Sequence, residues 1–506
     1  ATGIWLGRGS RNPDWTEARV AANLSRICSA LVEGDRLRHH NSDTPEGISR
    51  SIEAFAGTER LLAAMPRQPY TELLHRYIQW RLGELHYFLG TREADPDALN
   101  EAIAHWWQAN VPWHAPPAES LEMIPRPLVD RIARVGGHHT MAGLAIAHAA
   151  LAFHVNPVKH HELSLGFRRS VYQVLFEPTS PNYIALGDTA TIMNEDRGMA
   201  ASDLAGSMAA LGACTDSLPL LRQALDLFSL ADTIHAFRAL ASPYGSFLLR
   251  WGTAFLERAE RTGSVADADT ALSLFASAAR LRERDGDKPQ TGSMDRAMAR
   301  ALMYQARRAT DSARRRDLLQ RAQDLLESAL AFEAPGSGGK RPPSGASRSQ
   351  TPQDAQPSTA DRISRALFER SLATLLIDRV QLRVMADRQG RPPADSDDPL
   401  RSSEPAGSLT RAGSVLQSAA VGSRADSLLP WAALLSRADS LLQGAAITLE
   451  PDRLPVQAAE VHLQQGRAGA SRWSLWGDQA ARERALDHFR QAGRLLLPPH
   501  DPSFHR

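Results

Sequence analysis

Six of the chain's 17 histidines lie between residues 138 and 161: His138, His139, His148, His154, His160 and His161, with Glu162 beside the last. Neutral imidazole is the commonest metal ligand, and a metal-dependent hydrolase using this cluster would need three donors on one face with a position left for water. On a helix, two such ligands sit four residues apart. His148 and His154 are six apart and nearly opposite, which argues against a helical site. His154 and His160 flank Pro157 and could converge across a turn, so His154, His160 and His161 are the candidate ligands. The plainer reading makes them polar turn and groove residues. The chain has no glycine-rich phosphate loop, no Gly-x-Ser-x-Gly elbow and no zinc-protease pair, so no catalytic residue and no cofactor are assigned.

Charge excludes other chemistries. With 58 basic and 57 acidic residues the net charge is +1, and no global field recruits nucleic acid or an anionic membrane. The basic run "ARRATDSARRRDLLQR" (306–321) interleaves acids and reads as a solvated helix face. Two cysteines, Cys28 and Cys214, are too few for a disulfide framework and suit a reducing, cytoplasmic setting. The longest apolar run, "MAGLAIAHAALAF" (141–153), is shorter than the roughly 20 residues of a membrane helix and reads as a buried helix.

The elements that would position any site are helices, because nothing alternates with strand period. Ala271, Phe275 and Ala278, at i, i+4 and i+7, present small, large, small on one helix face. The triplet recurs as Ala102–Trp106–Ala109, Ala224–Phe228–Ala231, Ala322–Leu326–Ala329, Ala438–Leu442–Ala445 and Ala485–Phe489–Ala492. Gly83, Gly252 and Gly466 each stand nineteen residues before the first alanine of a triplet. Glycine costs about 1 kcal/mol in a helix interior, so its return at a fixed offset implies close helix contact. Trp80, Leu249 and Leu463 precede these glycines by three residues and are expected to be buried; Pro335, Pro451 and Pro498 follow the last alanine and stop the second helix. Each unit is predicted to be helix, turn, helix, and the fold class all-α, a solenoid of stacked pairs.

This pattern resembles the tetratricopeptide repeat, with a longer separation between small residue and alanine than usual. "GTAFLERAERTGSVADADTALSLFASAA" (252–279) is similar to the long repeats of bacterial proteins in which such arrays precede a caspase-like CHAT domain. The CHAT domain itself is not present. "LGACTDS" (211–217) resembles the CHAT nucleophile motif, but Cys214 closes an Ala-rich helical stretch, where a small packing residue is expected. The resemblance implies a cytoplasmic interaction scaffold, the sensor or regulatory part of a larger effector. The alternatives are a hydrolase using the His138–His161 cluster and a stand-alone adaptor. A protein or peptide partner is expected in a concave face lined by first helices, near Gln79, His86, Arg250 and Gln464; no nucleic acid, membrane or small-molecule substrate is expected.

The organisation read from the sequence is N-terminal helices over 1–66 and repeats over 67–334, irregular at 120–200. A Pro/Ser/Gly-rich linker follows over 335–360, and further repeats over 361–506 carry a polar loop at 388–408. No polar cap closes the last repeat, which predicts that the array continues, or leads into a further domain, beyond Arg506.

Overall fold

The computed structural model describes residues 17–41, 44–110, 124–125, 128, 137–176, 189–238, 241–284, 292–332, 359–388, 413–451 and 454–496. The linker, the polar loop, Trp113, Pro335 and Pro498 lie outside the described residues. Among those described, every regular element is an α-helix. The first compact unit holds α1 (Glu17–Asn41), α2 (Pro45–Ala63), α3 (Pro69–Glu93), α4 (Pro96–Ala109), α5 (Gly137–Leu151), α6 (Pro157–Phe176), α7 (Thr189–Cys214), α8 (Leu218–Asp232) and α9 (His235–Arg238). The second holds α10 (Ala241–Thr262), α11 (Val265–Arg284), α12 (Gly292–Arg308), α13 (Ser312–Phe332), α14 (Thr359–Arg388), α15 (Gly413–Thr448), α16 (Pro455–Trp476) and α17 (Gln479–Leu496). The division between Leu240 and Ala241 falls inside the stretch the sequence reads as consecutive repeats. No described helix is long and apolar enough to cross a membrane.

Five helix pairs share one register, counted back from a large side chain on the second helix. Trp106, Arg168, Phe228, Phe275 and Phe489 each follow by twelve residues a turn residue with positive φ: Ala94 (50°), Asn156 (37°), Asp216 (55°), Gly263 (79°) and Gly477 (71°). A left-handed residue there ends the first helix by turning its N–H back onto the last turn, as Gly263 does onto the Ala259 carbonyl (2.8 Å) and Gly477 onto that of Trp473 (2.8 Å). The next residue starts the second helix in three of the pairs. Asp95, Ser264 and Asp478 accept the N–H groups of Asp97, Asp267 and Ala481 at 2.9, 3.2 and 3.0 Å.

Twenty-three residues before the large side chain stands Gly83, Ala145, Ala205, Gly252 or Gly466. A Cβ on Gly83, Gly252 or Gly466 would lie 2.7, 2.5 and 2.5 Å from the ring of Trp106, Phe275 and Phe489. The offset seen in the sequence is therefore a backbone-to-ring contact that only a missing side chain permits. Ala145 and Ala205 take the same place in α5 and α7, both fully buried.

The α5–α6 pair lies in the stretch the sequence marks as irregular. Its register is regular but its chemistry is not: Arg168 stands in the large position between buried Ser164 and Val171, and pairs with Asp203 of α7 at 2.7 Å. In α1–α2, Phe55 sits between buried Ser51 and Thr58, its ring 3.0 Å from a Cβ built on Gly34. Hydroxyl residues in place of alanines hid that copy.

Three expectations are corrected. Ala438, Leu442 and Ala445 are buried, but they lie in one uninterrupted 36-residue helix, α15, and not in a helix-turn-helix unit. Leu463 is exposed, because nothing described covers that side of α16, whereas Trp80 and Leu249 pack against buried clusters. Cys214 is exposed at the end of α7 and is no packing residue.

Replacing Gly252 by Leu is expected to cost about 1–3 kcal/mol in denaturant unfolding, since the new side chain must displace the Phe275 ring. Gly166, on exposed helix surface with open space around its Cα, is the control. Gly166→Ala is expected to be neutral or to stabilise by up to about 1 kcal/mol.

Candidate functional site

Charged residues on alternate helices of the second unit form a dense polar arrangement among its described residues. Helices α10, α12, α14 and α16 are cross-linked through their side chains. Arg300 of α12 donates to Glu257 of α10 (2.7 Å) and grips Glu260 with Nε and Nη2 (2.9 and 2.5 Å). Glu257 also accepts from Arg261 at 2.7 Å. Burial pushes the Glu257 carboxyl up, but Arg300 and Arg261 outweigh it and hold it below the usual carboxylate range. Arg370 of α14 pairs with Glu460 of α16. Burial and the nearby Arg296 and Arg300 nevertheless pull its guanidinium down to about 10. Arg300 remains 45% exposed in the midst of these neighbours.

Deeper on the same helices sits Asp378 of α14, nearly fully buried. It accepts from Arg307 of α12 (Nε, 2.9 Å) and from Arg467 of α16 (2.7 Å). Arg467 in turn donates to Gln464 (2.8 Å) and Gln381 (2.7 Å). One carboxylate thus ties three helices, and a buried carboxylate is stable only when paired in this way.

The four expected partner-binding residues fall in both units, Gln79 and His86 in the first and Arg250 and Gln464 in the second. Gln79 is fully buried and is corrected: it donates to Glu59 of α2 and its carbonyl lies 2.6 Å from Nδ1 of His105 on α4. Both helices pack on α3, which encloses that position. His86 is half-buried and stacks on His105 at 5.2 Å; burial lowers its pKa against the pull of Glu101 and Asp95. Arg250 is half-buried on α10, and Gln464 belongs to the Asp378 network. Counted back from the large side chain they stand 27, 20, 25 and 25 residues away, so Arg250 and Gln464 occupy equivalent positions whereas Gln79 and His86 do not.

The histidines assemble differently from the expectation. His160 meets His148, not His154: the Nδ1 atoms are 3.0 Å apart and the rings stack at 5.2 Å, with Phe167 stacked on the other face of the cluster at 5.8 Å from His148. The turn at 152–156 folds α6 back along α5, so residues equidistant from His154 face each other. His154 is buried at that turn, and His161 is half-buried on α6, its pKa lowered by burial and by His160. Burial, with His160 and Lys159 adding, pulls His148 down to about 4. A second stacked pair, His462 with His488, joins α16 to α17 with Nδ1 atoms 3.3 Å apart. Among the described residues no three His, Cys, Asp or Glu side chains converge as a metal-binding group. The side chain of His138 lies outside those described.

Two further features stand outside these networks. Trp107 is half-exposed, edge-on to Phe167 at 5.6 Å. An open cavity of about 620 Å³ lies between α11, α12 and α13, with Leu272, Met298, Leu302 and Leu325 on its walls and Arg321 and Asp324 at its polar side.

No protein-family model matches the chain, and no curated protein sequence matches it.

His148 is neutral in the fold and protonates near pH 6.5 once unfolded, so the unfolded chain binds protons first as pH falls. Stability is expected to be full above about pH 6.5 and to decline toward pH 4, read as the denaturant midpoint, with a shallower decline in His148→Gln. Asp378→Ala is expected to cost roughly 1–3 kcal/mol by removing the shared acceptor of two charged donors, whose guanidiniums are 43% and 26% exposed, against about 1 kcal/mol or less for Arg307→Ala, which removes one of them. Chemical denaturation of the two variants checks this difference.

Proposed function

We propose that the chain is a protein-binding scaffold whose helix pairs stack as a tetratricopeptide-like α-solenoid. In this reading it is the sensor or regulatory region of a larger bacterial effector of the CHAT-associated kind. Its recognition face is the row of alternate helices α10, α12, α14 and α16. One observation carries the reading: guanidiniums and carboxylates of neighbouring helices are locked together, Arg300 of α12 on Glu257 and Glu260 of α10 and Arg370 of α14 on Glu460 of α16, with Arg370 held low first by burial and then by the nearby Arg296 and Arg300. Guanidiniums held together in this way gain most from an added carboxylate, which accepts two parallel N–H bonds from each fork. An extended or helical peptide with acidic side chains, laid across several first helices, fits that chemistry. The fixed ion pairs among the helices pre-organise the wall, which lowers the ordering cost of binding.

The test is fluorescence anisotropy of the purified chain with labelled acidic, neutral and basic peptides. Acidic peptides are expected to bind, and to weaken with added salt. The double variant Arg296→Gln, Arg370→Gln is expected to lose about tenfold or more in affinity while keeping its helical circular dichroism. Equal binding of all three classes, or of none, counts against this reading. Near-equimolar zinc or iron that disappears in His154→Ala, His160→Ala, together with hydrolytic activity, would replace it by the enzyme reading.

A further inference from the structure

In the first unit α5 packs on both α4 and α6, and the groove between those two second helices is filled by a side chain of the protein itself. Trp107, the residue after the large Trp106 of α4, meets Phe167, the residue before the large Arg168 of α6, edge-on with ring centroids 5.6 Å apart. Ile103 of α4 and Leu144 of α5 belong to the same cluster as Phe167, and His148 of α5 stacks on its ring at 5.8 Å. An indole thus bridges two second helices across the first helix that lies between them.

The cavity of about 620 Å³ in the second unit is the counterpart of that groove, between α11 and α13 across α12. Leu272 and Ala276 stand three residues before and one after Phe275, as Ile103 and Trp107 stand to Trp106. Leu325 precedes Leu326 of the α13 triplet as Phe167 precedes Arg168. Met298 and Leu302, one turn apart on α12, take the places of Leu144 and His148 on α5, and buried Ala299 follows Met298 as buried Ala145 follows Leu144. The walls correspond, and where the first groove has an indole the second has the methyl of Ala276. Every lining residue lies at least one turn inside the ends of its helix. One polar group has no counterpart: Asp324 stands on the wall where α6 has Gly166, and accepts from Gln320 at 2.8 Å with Oδ1 alone.

We infer that this cavity takes a tryptophan side chain of a protein partner, which supplies from outside the ring that Trp107 supplies from within in the first unit. The volume falls within the roughly 300–1,000 Å³ of ligand pockets and leaves room beyond the ring for the chain that carries it. An indole N–H donates and cannot accept, so a buried indole needs an acceptor beside it. The second oxygen of Asp324 provides one on an otherwise largely apolar wall, and this selects tryptophan over phenylalanine or leucine. A ring seated in this way is the kind of anchor that dominates an interface. The site uses Met298 and Leu302 of α12 rather than Arg300 and Arg307, so it is independent of the charged face proposed for acidic peptides.

Saturation-transfer NMR of the full 506-residue chain tests this, with N-acetyl-tryptophanamide, N-acetyl-phenylalaninamide and N-acetyl-leucinamide as probes. The tryptophan amide is expected to receive saturation on its indole protons, the phenylalanine amide several-fold less and the leucine amide none. Ala276→Trp fills the cavity from α11 as Trp107 fills its groove from α4, and is expected to abolish the tryptophan signal without lowering the melting temperature. Asp324→Ala, at an exposed position, is expected to weaken the tryptophan amide several-fold and to leave the phenylalanine amide unchanged. Should Ala276→Trp melt early, the smaller Ala276→Phe carries the same test. No transfer to the tryptophan amide in wild type overturns the inference, as does a signal that survives filling of the cavity or an equal response from all three amides. Free indole that binds where the tryptophan amide does not would mark a small-molecule site and overturn the protein partner.

Discussion

Two helices can approach until a ring on one touches the backbone of the other only where a side chain is missing, and that contact sets the geometry of the helix pairs. Gly83 under Trp106, Gly252 under Phe275 and Gly466 under Phe489 are the same contact made three times. It has value only if the second helix returns in the right phase, which the left-handed residue twelve positions before the ring provides. Turn and contact depend on each other. Without the turn the ring would face elsewhere, and without the small residue the pair could not close. The buried residues Ala438, Leu442 and Ala445 lie in one long helix, α15, and not in such a pair.

Once the pairs are fixed, polar groups decide how neighbouring helices are joined. In the first unit, ion pairs such as Arg81–Asp35 and Arg168–Asp203 stand beside bridges through hydroxyl, amide and imidazole groups. The Tyr77 hydroxyl donates to Asp35 at 2.6 Å, Gln79 spans Glu59 and His105, and His148 stacks on His160. Burial keeps those imidazoles neutral. In the second, the bridges are ion pairs, centred on Asp378 between Arg307 and Arg467 and on Arg300 between Glu257 and Glu260. A buried ion pair adds little net stability but strongly penalises misplacement, so these contacts fix which helix lies beside which.

The same repetition that builds the core also creates the candidate recognition surfaces. Alternate helices placed side by side bring guanidiniums and carboxylates from different elements together. Where α11 has Ala276 at the position that Trp107 holds in α4, the same packing leaves a cavity in place of a filled groove.

Local chemistry alone determined much of this protein. Helical periodicity, prolines at helix starts and the alanine–aromatic–alanine triplets are all written within single helices. The glycines nineteen residues upstream also revealed the contact, because a costly residue repeated at fixed spacing needs a packing cause. Copies built from other residue types were missed. Ser51–Phe55–Thr58 and Ser164–Arg168–Val171 keep the sizes or the register while changing the chemistry, and composition does not reveal register. What joins residues far apart in sequence was decided only in three dimensions. Gln79 looked like a surface amide until α2 and α4 closed over it, and His160 found His148 because a turn reversed the chain around His154. Asp378 gathered Arg307 and Arg467 from 71 and 89 residues away. Side-chain pairing across helices depends on which faces the packing brings together, and that is a property of the assembled core, not of any one segment.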